Sequence, residues 1–489
     1  MTPSSERPAY PGQFGPKGDD STTKPTQETR GPWWHPATAD AAAPPTSEVG
    51  DSWWRPVSAR TAATSAPAIA DSIARVPFIA LLVFTAFLFL APQSFFPALQ
   101  PLRLPFVAGS FALGSYFLDR LLRGAPLSIR LPELAILGAL LAWSVLTLPV
   151  SLWPSGSVHM ILDTYLKSLA IFFLLVNLVV TPIRLRRMAW FLTLLSLPLA
   201  ATTLANYHFE VVIGGGNNRV LGYQGTLSEN PNDLAFLLNI TLPVAGGLLL
   251  AERRRWAGAV ILAIMAVDVA AVIVTFSRAG FLVLAVAIVL FSWKLARRGR
   301  TKLAVVLAIA ALACGPLLPA SYLQRIGTSF DKEADTTGSS EARWSLIQGA
   351  VGHVMQHPVA GAGIGVGMLA MNEQFGVGVW RQVHNTYLEY AVELGLPGFA
   401  LLVLLLTCAL NGTLSAQRHL QRTRAPLALV LLQEGVQVSL IAFAIGALFA
   451  PGAYGWLLHY AVGLAVASRV ACAAWRAPTT NSLSLRRPP

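Results

Sequence analysis

Twelve apolar runs, each about 18 to 23 residues long, recur along this chain, and each is long enough to cross a hydrocarbon core of ~30 Å. They lie near residues 76–98, 102–120, 131–150, 159–181, 184–205, 233–251, 256–276, 279–296, 302–320, 397–415, 425–449 and 452–474. The spacing predicts an all-α integral membrane protein of about twelve transmembrane helices. A composition of 54% hydrophobic and 12% charged residues agrees, since soluble domains carry roughly a quarter charged residues.

Basic residues set the expected orientation. Alternate loops hold seventeen of them, in clusters such as Arg184, Arg186 and Arg187, Arg253 to Arg255, and Lys294 to Lys302. The intervening loops, over a longer stretch of chain, hold seven: Arg103, Arg219, Arg278, Arg325, Lys332, Arg343 and Arg381. The positive-inside rule therefore predicts an even number of spans with both termini cytoplasmic. The formal charge of +12 comes from the chain beyond residue 75, mostly its membrane portion, because residues 1–75 contain seven basic and eight acidic side chains. That distribution follows topology, no nucleic-acid motif accompanies it, and a nucleic-acid partner is not expected.

Residues 1–75 are rich in Pro, Ala, Ser and Thr without apolar periodicity and read as a disordered cytoplasmic tail, not a signal peptide. Within it GPWWHP at 31–36 and DSWWRP at 51–56 form an imperfect repeat, read as a docking motif for a protein partner or for the membrane interface. The membrane domain spans 76–474, and a short cytoplasmic tail follows at 475–489. Two outer loops have the length to hold function: about 206–232, and about 321–396 between the ninth and tenth spans, which reads as a small folded lobe. Helical spacing within that lobe predicts one helix over 339–355 and a second over 383–396 that enters the tenth span.

The segment from Val383 to Gly398, VHNTYLEYAVELGLPG, places titratable side chains at the edge of an apolar bundle. His384 is the first candidate for a general base, with Asn385 and Tyr387 as supporting groups; the competing reading is a structural histidine capping the helix through Asn385. Arg219, Arg278, Arg343 and Arg381 stand on the side where basic residues are scarce, and an arginine fork suits phosphate oxygens. As a set they favour an anionic ligand; singly, each is as consistent with snorkelling or with pairing to loop carboxylates. Lys167 and Asp163, one turn apart, read as a buried ion pair, and Asp268 as an intramembrane acid with no assigned role.

Other chemistries lose support. The glycines of GAGIGVG at 361–367 miss the GxGxxG spacing and lack a strand–helix context, so close backbone approach in a turn is the better reading. There is no HExxH, P-loop or GxSxG motif, and Cys314, Cys408 and Cys472 fall within or beside apolar spans. Neither a metal nor a cofactor is expected.

The order PNDLA at 231–235, SRAG at 277–280, Arg343-Trp344, HPVAGAGIGVG at 357–367 and then HNTYLEYAVELGLPG resembles the bacterial O-antigen ligase and O-antigen polymerase superfamily over roughly residues 130–450. The resemblance implies a metal-independent, inverting glycosyltransferase of the inner membrane with its active site on the periplasmic face. It implies an undecaprenyl-diphosphate-linked glycan as donor, and the lipid A core or a second lipid-linked glycan as acceptor. It places the essential histidine on His384 and the diphosphate-binding arginines on Arg219 and Arg278, with Arg343 as a further recurrent arginine. The rival readings are a transporter of polyprenyl-linked sugars, which would claim Asp163, Lys167 and Asp268, and a scaffold of a polysaccharide export complex.

Overall fold

The structure, a computed structural model, describes residues 75–213, 219–224, 229–313, 339–375 and 382–475, with the backbone alone for 310–313 and 339–343. The tryptophan pairs, Cys314, Arg381 and the C-terminal tail from 476 lie outside these residues.

The described chain is helical: α1 Arg75–Leu90, α2 Leu104–Leu122, α3 Pro132–Leu146, α4 Pro154–Leu178, α5 Pro182–His208, α6 Pro231–Ala251, α7 Arg255–Val274, α8 Arg278–Arg297, α9 Thr301–Ala313, α10 Ser339–Gln356, α11 Gly367–Phe375, α12 Thr386–Arg422, α13 Leu427–Gly446 and α14 Trp456–Ala473. Among the described residues, nine of these are long and apolar enough to cross a membrane. The other three predicted spans are helical as well, but α3 has 15 residues, α9 is described over 13, and α2 carries the charged Asp119 and Arg120 in its last turn.

Local sequence explains where the helices begin. Pro132, Pro154, Pro182 and Pro231 each open a helix, where the missing N–H has no partner to lose. Thr181, Asn230, Ser277 and Asn385 sit at the N-cap, and the side chain of each accepts a first-turn backbone N–H. Inside α12 Gly395 adopts φ 67° and breaks the helix, so α12 is a short arm, 386–394, followed by a long span. The predicted junction at 396 falls on that break.

Helices α6, α13 and α14 form the buried centre. α6 and α13 cross at Gly247 and Gly435, where backbones approach so closely that a Cβ on Gly435 would lie 2.5 Å from the Pro243 carbonyl oxygen. α14 is tied to α3 by a bidentate Arg469–Glu133 pair, both bonds 2.8 Å and both side chains buried. A second, smaller buried cluster joins α10, α11 and the α12 arm through Leu346, Ala350, Met371, Val383 and Ala391.

Candidate functional site

The site is built outward from the start of α12. Asn385 Oδ1 accepts the N–H groups of Tyr387 at 3.0 Å and Leu388 at 3.1 Å, so the helix begins two residues after His384. The backbone N–H of Thr386 donates to the Ala447 carbonyl (2.8 Å), its hydroxyl to the Ala450 carbonyl (2.9 Å), and the Tyr387 hydroxyl to the Ala444 carbonyl (2.8 Å). These bonds fasten the arm to the end of α13. Val383 is buried and His384 beside it is exposed, so the imidazole stands at the rim of a fixed backbone.

One turn further in, two buried carboxylates clamp loops onto the arm. Glu389 accepts from Gln382 Nε2 (2.9 Å) and from the backbone N–H groups of Gly452 and Ala453 (both 3.0 Å). Glu393 accepts from the N–H groups of Gly365 (2.6 Å) and Gly367 (2.9 Å) at the start of α11. The glycines of 361–367 are there for contact: Gly363 has φ 102°, and a Cβ on it would lie 2.1 Å from Ser151 Oγ. Close backbone approach, the expected reading of this run, is what the loop makes. Glu389, Glu393 and Tyr454 face a cavity of about 100 Å³ behind Val383. Burial, then the Glu393 carboxylate, raises the Tyr454 phenol well above its usual range.

Arg219 and Arg278 lie in a second corner. Arg219 Nη2 donates to Asn232 Oδ1 at 2.9 Å and to the Thr275 carbonyl at 3.0 Å, and Asp233 lies within its electrostatic reach. Thr275 opens the turn that leads through the N-cap Ser277 to Arg278, so Arg219 is fastened to the turn that carries Arg278. Asn232 is in the first turn of α6; one turn on, Phe236 stacks on Phe443 of α13 at 5.4 Å, and Ala447 of the same helix end holds Thr386. Both arginines and His384 therefore occupy one end of the bundle.

Residues 260–403 match the family model described as O-antigen ligase. Over these residues the chain resembles the O-antigen ligase superfamily. The ligase match takes in Arg278, Arg343, Arg381 and His384, the N-cap Asn385, both clamping glutamates and the Gly395 break. No curated protein matches the chain.

Arg343 lies in α10, with its side chain outside the described residues, and Arg381 lies outside them altogether. Asp163 and Lys167 do pair, at 2.9 Å, but the expectation of a buried pair is corrected: their side chains are 55% and 41% exposed on the flank of α4. Two acceptor–donor partners one turn apart hold each other wherever the helix turns them, and here it turns them outward. Asp268 is buried and accepts the Ser196 hydroxyl at 2.7 Å. Among the described residues no three His, Cys, Asp or Glu side chains converge as a metal site. Sequence reading assigned no role to Glu389 and Glu393; their i, i+4 spacing beside a glycine-rich loop was the available signal.

Proposed function

We propose that this chain is a membrane glycosyltransferase of the O-antigen ligase type that moves a glycan from undecaprenyl diphosphate to a hydroxyl acceptor on the outer face of a bacterial inner membrane. The observation that carries this reading is the ligase match over 260–403 together with the Arg219–Thr275 bond, which fastens a second arginine to the Arg278 turn at the His384 end of the bundle.

Arg219 and Arg278 would neutralise the diphosphate as negative charge accumulates on it. His384 would accept the proton of the acceptor hydroxyl as its oxygen attacks the anomeric carbon. The bond from that carbon to the phosphate oxygen breaks, the new glycosidic bond forms on the opposite face, and undecaprenyl diphosphate leaves. Inversion is the expected stereochemistry. The diphosphate ester is an activated donor, so the step calls for charge stabilisation and one proton acceptor. Arm and clamps supply rigidity: the imidazole precedes a helix held by Asn385, Thr386, Glu389 and Glu393, which favours a fixed base position.

The residues a transporter would claim are spent elsewhere, Asp163 and Lys167 on an exposed pair and Asp268 on Ser196. Reconstitution with a native undecaprenyl-diphosphate glycan, with and without a lipid A core acceptor, tests the proposal. A ladder without added acceptor identifies repeat-unit polymerisation, a single shift that needs the core identifies ligation, and the absence of any His384-dependent product rejects the transferase.

A further inference from the structure

A cavity lies at the opposite end of the bundle from His384. It has a volume of about 930 Å³ and opens between α8 and α12, with α13 as its floor. Arg278 and Arg297 mark the two ends of α8, ~28 Å apart at the helical rise, so this cavity is separate from the arginine corner.

Its walls change character along their length. Toward mid-helix they are apolar, with Leu290, Leu410, Leu414 and Ile441. At the end they are cationic, with Lys294, Arg297, Arg298 and Arg300 set against a single carboxylate, Glu434. That carboxylate is engaged: Arg298 donates to it through Nε at 2.8 Å and Nη2 at 2.7 Å. Lys294 instead donates to the neutral Gln437 Oε1 at 2.5 Å, and Gln437 is itself held by Gln417 (2.7 Å) and Thr413 (3.0 Å). Gln417, Gln437 and Thr413 are buried, so the network that positions Lys294 is preformed. Arg297 lies over the Trp293 ring at 5.0 Å, an aromatic of the kind found at headgroup level.

Three cations beyond the one that Glu434 balances, at the mouth of an apolar groove, fit an amphiphile with a negatively charged head. Along α12 the lining runs from Thr407 to Gln421, ~21 Å of helix, the scale of an acyl chain plus headgroup. We propose that this groove is a binding site for an anionic phospholipid, its phosphate diester held by Lys294 and Arg297 and one acyl chain lying along Leu290, Leu410 and Leu414. Basic pockets between transmembrane helices recognise phosphate headgroups through the same chemistry. The inference does not depend on the transferase reading.

The test uses the full-length protein in detergent, with phosphatidylglycerol, phosphatidylcholine or inorganic phosphate added, and reads thermal unfolding together with bound lipid by native mass spectrometry. Phosphatidylglycerol should raise the unfolding temperature and remain bound, and phosphatidylcholine should do neither. The Lys294→Gln/Arg297→Gln protein should bind phosphatidylglycerol about thirtyfold more weakly, the loss that two removed cations carry. Because those substitutions touch the Gln437 network, Leu414→Trp serves as a second variant: it fills the groove from an exposed position and should displace the lipid with the network intact. Equal binding of the two lipids, or unchanged phosphatidylglycerol binding in both variants, overturns the proposal. A shift produced equally by inorganic phosphate overturns the lipid as its ligand.

Discussion

The carboxylate of Glu393 receives the backbone N–H of Gly365 at 2.6 Å, joining the helix that follows His384 to a glycine loop 28 residues earlier in the chain. A second bond from Gly367 completes the clamp. Glu393→Ala would leave two N–H groups without their acceptor, at a cost of about 1–3 kcal/mol each. Glu393→Gln keeps an acceptor and should lose less. Thermal unfolding should rank wild type above Gln above Ala, and an Ala variant as stable as wild type would remove the clamp from the account.

His384 is exposed at the rim and fixed by its neighbours, so its replacement should leave the fold alone. His384→Ala is expected to lower transfer by about 10²-fold or more, the contribution of a positioned base, with unchanged membrane insertion and unfolding temperature. Normal turnover by this variant in proteoliposomes would exclude the imidazole as the proton acceptor.

The arginine corner predicts unequal substitutions. Arg278→Lys retains charge and loses the fork, so weak transfer should persist, whereas Arg278→Ala should abolish it. Asn232→Ala removes one of the two acceptors that hold Arg219 Nη2 and should weaken donor binding more than it lowers the maximal rate. Titration of donor lipid against initial rate separates these effects; unchanged donor affinity in the Arg219→Ala/Arg278→Ala protein would sink the diphosphate clamp.

Gly395 has φ 67°, and a Cβ there would stand 2.2 Å from the Val359 carbonyl oxygen. Gly395→Ala should therefore destabilise by about 2 kcal/mol or more and uncouple the arm from the span. Gly114, inside α2 with nothing within 4 Å, is the control: Gly114→Ala should be neutral or stabilising by about 0.5–1 kcal/mol. Equal behaviour of the two variants in a thermal unfolding series would show that the break is not required.

Burial, then the neighbouring His357, lowers the pKa of His353 in α10 below its ordinary value of 6.5. The folded protein keeps this ring neutral while the unfolded chain takes up a proton as pH falls below about 6.5, so the stability it contributes is present above that pH and is lost below it. Unfolding temperature should fall between pH 7.5 and 5.5, and His353→Gln should flatten that slope. An identical slope in the variant would assign the pH dependence elsewhere.

Much of this molecule was readable from residue type and spacing alone. Apolar run length placed the helices, because lipid leaves the backbone no other way to satisfy its polar groups. The cap at Asn385 was legible too, because capping is a contact within three residues, and contacts of the same short range form the caps at Thr181, Asn230 and Ser277. The predicted end of the second lobe helix at 396 lies beside the Gly395 break. Tertiary structure alone decided the pairings: Arg219 with Thr275 across 56 residues, Glu393 with Gly365, Arg469 with Glu133, and the outward turn of Asp163 and Lys167. Side chains far apart in sequence meet only after the helices have packed, and the crossing that brings them together is set by the close approach of Gly247 and Gly435 and by the surfaces around it, which periodicity along one helix does not encode.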